Sequence, residues 1–123
     1  MKLAPLATLR QGPCLNACPV SKTARLIDGR WTTLIIRDLL GGTRRYSELL
    51  SSLEGISPKV LAARLRFLEQ QGLISKKIYP VVPPRTEYSL TPVGSGLSGV
   101  IQAMASFGAT LDQPTPDQNP SEG

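Results

Sequence analysis

Apolar residues recur along this chain in four short helical stripes, give way to alternation, and then return to a longer helical stripe. Val20, Ala24 and Ile27 follow Pro19 at helical spacing and run up to Gly29, and a proline suits the first helical position because its missing N–H has no partner there anyway. Trp31, Leu34, Ile35 and Leu39 form a second stripe that Gly41-Gly42 ends. Tyr46, Leu49, Leu50 and Leu53 repeat at i, i+3, i+4 and i+7, which predicts a third helix of about two turns stopping near Gly55. Ser57-Pro58 joins an N-cap residue to a proline at the next position, and Leu61, Leu65 and Leu68 mark one buried face of a fourth helix as far as Gly72. The short connection between these two helices, with Gly55, Ser57 and Pro58, fits the sharp turn of a helix-turn-helix.

Beyond Gly72 the period changes. Leu73 to Tyr79 is rich in Leu, Ile and Tyr, and Arg85 to Leu90 alternates Thr86, Tyr88 and Leu90 with polar partners, so two antiparallel strands are expected. Their link, Pro80-Val81-Val82-Pro83-Pro84, has three prolines and should project as a stiff loop. Thr91-Pro92 repeats the cap signal and opens a last helix in which Val93, Leu97, Val100, Met104, Phe107 and Leu111 are spaced like the seam of a coiled-coil pair. Residues 1–17 show no sustained period and read as an N-terminal arm, residues 18–111 as one domain, and residues 112–123 as a disordered acidic tail. The fold class is therefore α+β and mainly helical: a winged helix-turn-helix with a two-stranded wing and a C-terminal dimerisation helix.

Charge sharpens this picture. Of the 123 residues, fourteen are Lys or Arg and nine are Asp or Glu, and three of those acids lie in the tail after Leu111. Between Arg44 and Arg85 eight basic residues face only Glu48, Glu54 and Glu69. Such a local excess points to a polyanionic partner, because neutralising phosphates releases counterions; a solvated basic surface is the alternative. The absence of histidine removes the commonest general base and the commonest metal ligand, so no enzymatic activity, metal or cofactor is expected. No stretch approaches the ~18 uninterrupted apolar residues of a membrane span, and Pro5, Thr8 and Arg10 interrupt the start of the chain, so a cytoplasmic protein with no membrane partner is expected.

In a helix-turn-helix the N-terminal turns of the second helix reach base edges, which makes Ser57, Lys59, Val60, Ala63 and Arg64 the candidate readers and Arg66 a candidate phosphate contact. Arg44 and Arg45 stand at the start of the third helix, where a cation gains nothing from the helix dipole, and this suggests phosphate binding. Lys76, Lys77 and Arg85 lie on the wing strands, with a salt bridge from Arg85 to Glu87 as the competing role for that arginine. Trp31 and Tyr46 lie on apolar helix faces and read as core aromatics rather than stacking platforms. Cys18 precedes Pro19 at a helix start, a position that stabilises thiolate and lowers the pKa below the ordinary value of about 8.5; a small buried residue is the competing reading. Cys14, four residues away, is placed to resolve an oxidised Cys18 or to pair across a dimer.

Several of these segments resemble the HxlR family of bacterial winged-helix regulators, which is related to the MarR-type regulators. The resemblance runs from about Cys18 to Phe107 and is carried by Cys18-Pro19-Val20, Gly29-Arg30-Trp31, Arg45-Tyr46-Ser47-Glu48-Leu49 and Gly55-Ile56-Ser57 with Leu61, Leu65 and Leu68. It continues through Gly72-Leu73-Ile74 and Pro83-Pro84-Arg85-Thr86-Glu87-Tyr88-Ser89-Leu90-Thr91. It implies a homodimer that binds double-stranded DNA, with an inverted-repeat operator following from two-fold symmetry. It also implies sensing of oxidants or electrophiles through Cys18. The added Cys14 and the glycines early in the last helix depart from the family pattern. A protein-interaction adaptor built on the same fold is the alternative function, since winged helices also serve that purpose.

Overall fold

The computed structural model describes residues 18–112. The N-terminal arm with Cys14, and the acidic tail beyond Asp112, lie outside the described residues.

Three helices come first: α1 (Pro19–Leu26), α2 (Arg30–Leu40) and, after the two-residue strand β1 (Arg44–Arg45), α3 (Tyr46–Ser52). Then α4 (Pro58–Gln70), β2 (Ile74–Tyr79), β3 (Arg85–Leu90), α5 (Pro92–Ser95) and α6 (Ser98–Leu111) complete the chain. The sheet is antiparallel with strand order β1-β3-β2. The two-stranded wing, β2 and β3, is joined by a third short strand, because Arg44 and Arg45 pair with Tyr88 and Glu87 just before Arg45 caps α3. A two-residue strand is too short to leave a period in the sequence.

The core is one apolar cluster. Ile35, Ile36 and Leu39 of α2, Leu49 of α3, and Leu61, Leu65 and Leu68 of α4 are buried together with Leu53, Ile56, Leu73, Ile74, Tyr88 and Leu97. Trp31 and Tyr46 pack against its edge, as their stripes predict. The helix ends are set by the residues the sequence offers for them. Ser57 Oγ accepts the Val60 N–H at 3.1 Å at the start of α4, and Thr91 Oγ1 accepts that of Gly94 at 3.1 Å at the start of α5. At the far end of α4 the chain turns through Gly72, whose φ of +76° suits glycine. There the Gly72 N–H bonds Glu69 O at 3.0 Å and the Leu73 N–H reaches back to Leu68 O at 3.0 Å, a glycine-dependent helix stop.

The C-terminal helix departs from its expected form. The stripe from Pro92 to Leu111 is broken at Gly96-Leu97, where the Gly96 N–H bonds Val93 O and the Leu97 N–H bonds Gly94 O, both at 3.0 Å and both three residues back. This tightening changes the phase of the seam. Leu97 is turned into the core of its own chain, and Val100 packs partly against it, whereas Val93, Met104, Phe107 and Leu111 stay exposed. The glycines early in this segment serve the packing of the chain itself. Gly94 admits a segment of its own chain: a Cβ there would collide with the Leu73 carbonyl.

Gly94→Ala is therefore expected to destabilise the domain by about 1–3 kcal/mol through overpacking against an immobile backbone group. Gly29→Ala, which has open space but a φ of +86°, tests backbone strain alone. Urea denaturation of both variants measures the difference, and an unchanged midpoint for Gly94→Ala would contradict the contact.

Candidate nucleic-acid interface

Two faces of the sheet present different residues because neighbours across antiparallel strands share a side. On the inner face Arg44, Tyr88 and Lys76 form one row, and Ile74 pairs with Leu90 toward the core. Tyr88 is buried, and that burial, with smaller contributions from Glu69 and Tyr46, raises its phenol above the ordinary tyrosine range. It is a neutral spacer between two cations. On the outer face Arg45, Glu87 and Lys77 form the next row, followed by the pair Arg85 and Tyr79.

The expected site residues fall into three groups. The first is the outer surface of α4. At about 100° per residue, Lys59 and Ala63 point away from the Leu61, Leu65, Leu68 stripe, and both are exposed. Arg66 lies on the flank nearest the sheet and shares a cavity of about 210 Å³ with Ala62, Leu65, Glu69, Lys76 and Tyr88. Arg64 is exposed on the opposite flank, beside Val60 and Phe67. Val60 is half-buried against the core, and Ser57, though exposed, caps the helix with its hydroxyl.

The second group surrounds a cleft of about 520 Å³ between the start of α3 and the wing loop. Arg45, Tyr46 and Ser47 form one wall, and Val81 through Thr86, including Arg85, form the other. Arg45 is exposed, and its backbone N–H is held by Glu48 Oε1 at 2.8 Å. Arg44 is less available, since its guanidinium lies over Gly41 and donates to Thr43 O at 3.4 Å. On the wing, Arg85 Nε is 3.5 Å from Glu87 Oε2, and its guanidinium stacks 4.6 Å from the Tyr79 ring centroid. The competing salt bridge to Glu87 thus exists, yet Arg85 still lines the cleft. Lys77 Nζ sits 5.0 Å from the centroid of the same ring. Tyr79 was not singled out in the sequence, although the strand pairing that sets it opposite Arg85 was implicit in the short loop.

The third group is Cys18, the N-cap residue of α1, whose carbonyl accepts the Lys22 N–H at 2.9 Å. It is buried, with 5% of its surface exposed.

A tight helical turn, a capped second helix with a basic outer surface, and a wing carrying further cations are now in place. A family model described as HxlR-like helix-turn-helix matches residues 26–115. The chain belongs to the HxlR-like helix-turn-helix family. An HTH-type transcriptional regulator of Synechocystis is 42% identical to this HxlR-like chain over 100 residues, covering 79% of it and 74% of the relative. The crystal structure of a MarR-family transcriptional regulator from Porphyromonas gingivalis W83 superposes with a TM-score of 0.74 at 41% identity, covering 89% of this chain and 97% of that one. The redox regulator HypR in its oxidised form matches with a TM-score of 0.73 at 31% identity, covering 80% of this chain and all of that one. The HxlR-like chain is thus a winged-helix transcriptional regulator by family, and its relatives bear the names of regulators, not of enzymes. Among the described residues, no helix is long and apolar enough to cross a membrane.

Proposed function

We propose that this chain binds double-stranded DNA sequence-specifically as a homodimer and regulates transcription, with α4 in the major groove and the wing on the flanking backbone. The observation that carries the reading is that the fold gathers distant cations into pairs beside α4 and beside the wing. Arg45 meets Arg85 across one cleft and Arg66 meets Lys76 around another, although the members of the first pair are forty residues apart in the chain. Lys59 and Arg64 add two further cations on the exposed sides of α4. Arginine is able to bind guanine through two hydrogen bonds, so Arg64 is assigned to base reading and Arg45 to phosphate.

The second copy belongs on α6. This fourteen-residue helix contains no charged side chain and none of its residues is buried within its own chain. Met104, Phe107 and Leu111 are 45%, 66% and 70% exposed, a run of large apolar groups that water disfavours. A two-fold pair would set the recognition helices one DNA turn, about 34 Å, or a multiple apart, so the operator is an inverted repeat.

Cys18 is the proposed point of redox control. Its place at the start of α1 and the similarity to a redox regulator support the assignment. Burial limits access, so the oxidant must be small or α1 must move.

Three measurements test these assignments. Fluorescence anisotropy across several salt concentrations, on an operator selected from genomic fragments, should show Arg64→Ala losing about 1–3 kcal/mol on that operator and relaxing one base position. Arg45→Ala should weaken all DNA alike and lower the salt slope by about one; absence of DNA binding by the native protein at every salt would leave the adaptor reading. Sedimentation of Met104→Asp with Phe107→Asp should give a folded monomer that binds an inverted repeat far more weakly than the native dimer. A native monomer at micromolar concentration would end the dimer assignment. Mild peroxide should change operator affinity in the native protein and not in Cys18→Ser, and unchanged binding with Cys18 fully oxidised would make it a structural residue.

A further inference from the structure

Glu87 is an acid in the middle of a basic surface. Its strand neighbours are Arg45 on β1 and Lys77 on β2, and Arg85 is two residues away on the same face. A carboxylate so placed repels a polyanion, and a sheet evolved only for charge would be better without it. Its two oxygens are divided between two partners. Tyr79 donates its hydroxyl to Oε1 at 3.1 Å, and Arg85 Nε lies 3.5 Å from Oε2. The Tyr79 ring also stacks on the Arg85 guanidinium at 4.6 Å. Arg85 Nε is itself shut off from solvent and makes no hydrogen bond, so Glu87 holds it as an ion pair.

We propose that Glu87 and Tyr79 are positioning residues that fix the Arg85 guanidinium opposite Arg45, making the cleft between the wing loop and α3 a preformed clamp for one backbone phosphate. The inference rests on the DNA-binding reading above. Glu87 engages the Nε edge of the guanidinium and Tyr79 its face, which leaves the outer Nη edge for a ligand. A planar fork held on two sides loses little freedom when phosphate arrives, whereas an unrestrained arginine must give up its rotamers on binding. Ser47 and Thr86, which also line the cleft, supply hydroxyls for the same oxygens. Glu87 touches no DNA in this arrangement and acts through Arg85.

The sign of one substitution separates positioning from plain electrostatics. Glu87→Gln removes a negative charge beside DNA, so electrostatics alone predicts tighter binding. Positioning predicts the reverse: about five-fold weaker binding and a salt slope lower by about one, as the Arg85 contact is lost. In the Arg85→Ala background Glu87→Gln should have no further effect, since the two residues act as one unit. Tyr79→Phe keeps the ring and loses the hydroxyl, and is expected to fall between native and Glu87→Gln. Thermal melting of each variant establishes that it is folded. A second readout needs no DNA: the Arg85 Nε–H resonance should be sharp and slowly exchanging in the native protein and averaged with solvent in Glu87→Gln. Tighter or unchanged binding by Glu87→Gln, additive losses with Arg85→Ala, or an Nε–H resonance indifferent to residue 87 would each overturn the proposal. If the native protein binds no DNA, the functional reading fails while the resonance still decides whether Glu87 positions Arg85.

Discussion

Everything in this domain hangs on the corner where α4 ends. The carbonyls of Gly72 and Leu73 are bonded by residues nearly twenty positions later in the chain: Thr91 donates its hydroxyl to Gly72 O at 2.6 Å and its N–H to Leu73 O at 3.0 Å. Gly94 closes over the same Leu73 carbonyl. The entry to the wing, its exit and the start of the C-terminal helices are thereby tied to the last turn of the recognition helix. Backbone polar groups removed from water need partners, and here one set of bonds satisfies them while fixing three elements relative to one another. The orientation of the wing cations toward α4 follows from that knot.

Much of this was legible in the chain because local chemistry and global packing agree. Ser57-Pro58, Thr91-Pro92 and Gly72 announce helix ends by mechanisms that operate within a few residues, and the Leu61, Leu65, Leu68 stripe is a period that only a buried helix face explains. What escaped reading depends on contacts between distant segments. The pairing of Arg44 and Arg45 with Tyr88 and Glu87 spans more than forty residues and leaves no local signature. The break at Gly96-Leu97 is a choice between two helical phases, decided by the space beneath Leu97.

The candidate site was legible as a list of cations and not as an arrangement. Residue type and approximate element suffice to nominate Arg45, Arg66, Lys76 and Arg85, but not to say that they form two pairs around two cavities. Nor do they separate the arginine that folds back over Gly41 from its neighbour that faces outward. Tyr79 is the clearest omission, and Glu87 was legible only as a competing salt-bridge partner, because both are placed to act on another side chain. Antiparallel register was the signal that would have found them: Tyr79 opposite Arg85 and Lys77 opposite Glu87 follow once the loop length is known.

The wing loop is mechanically separate from the frame that carries it. Its five residues, 80–84, lie wholly beyond the Tyr79–Arg85 pair that closes the ladder, so no strand register passes through them. Lineages that lengthen, shorten or exchange this segment can therefore retune how far the protein reaches around its target while leaving the hydrophobic core untouched. The wing tip is a segment that can change without disturbing the register of the strands that carry it.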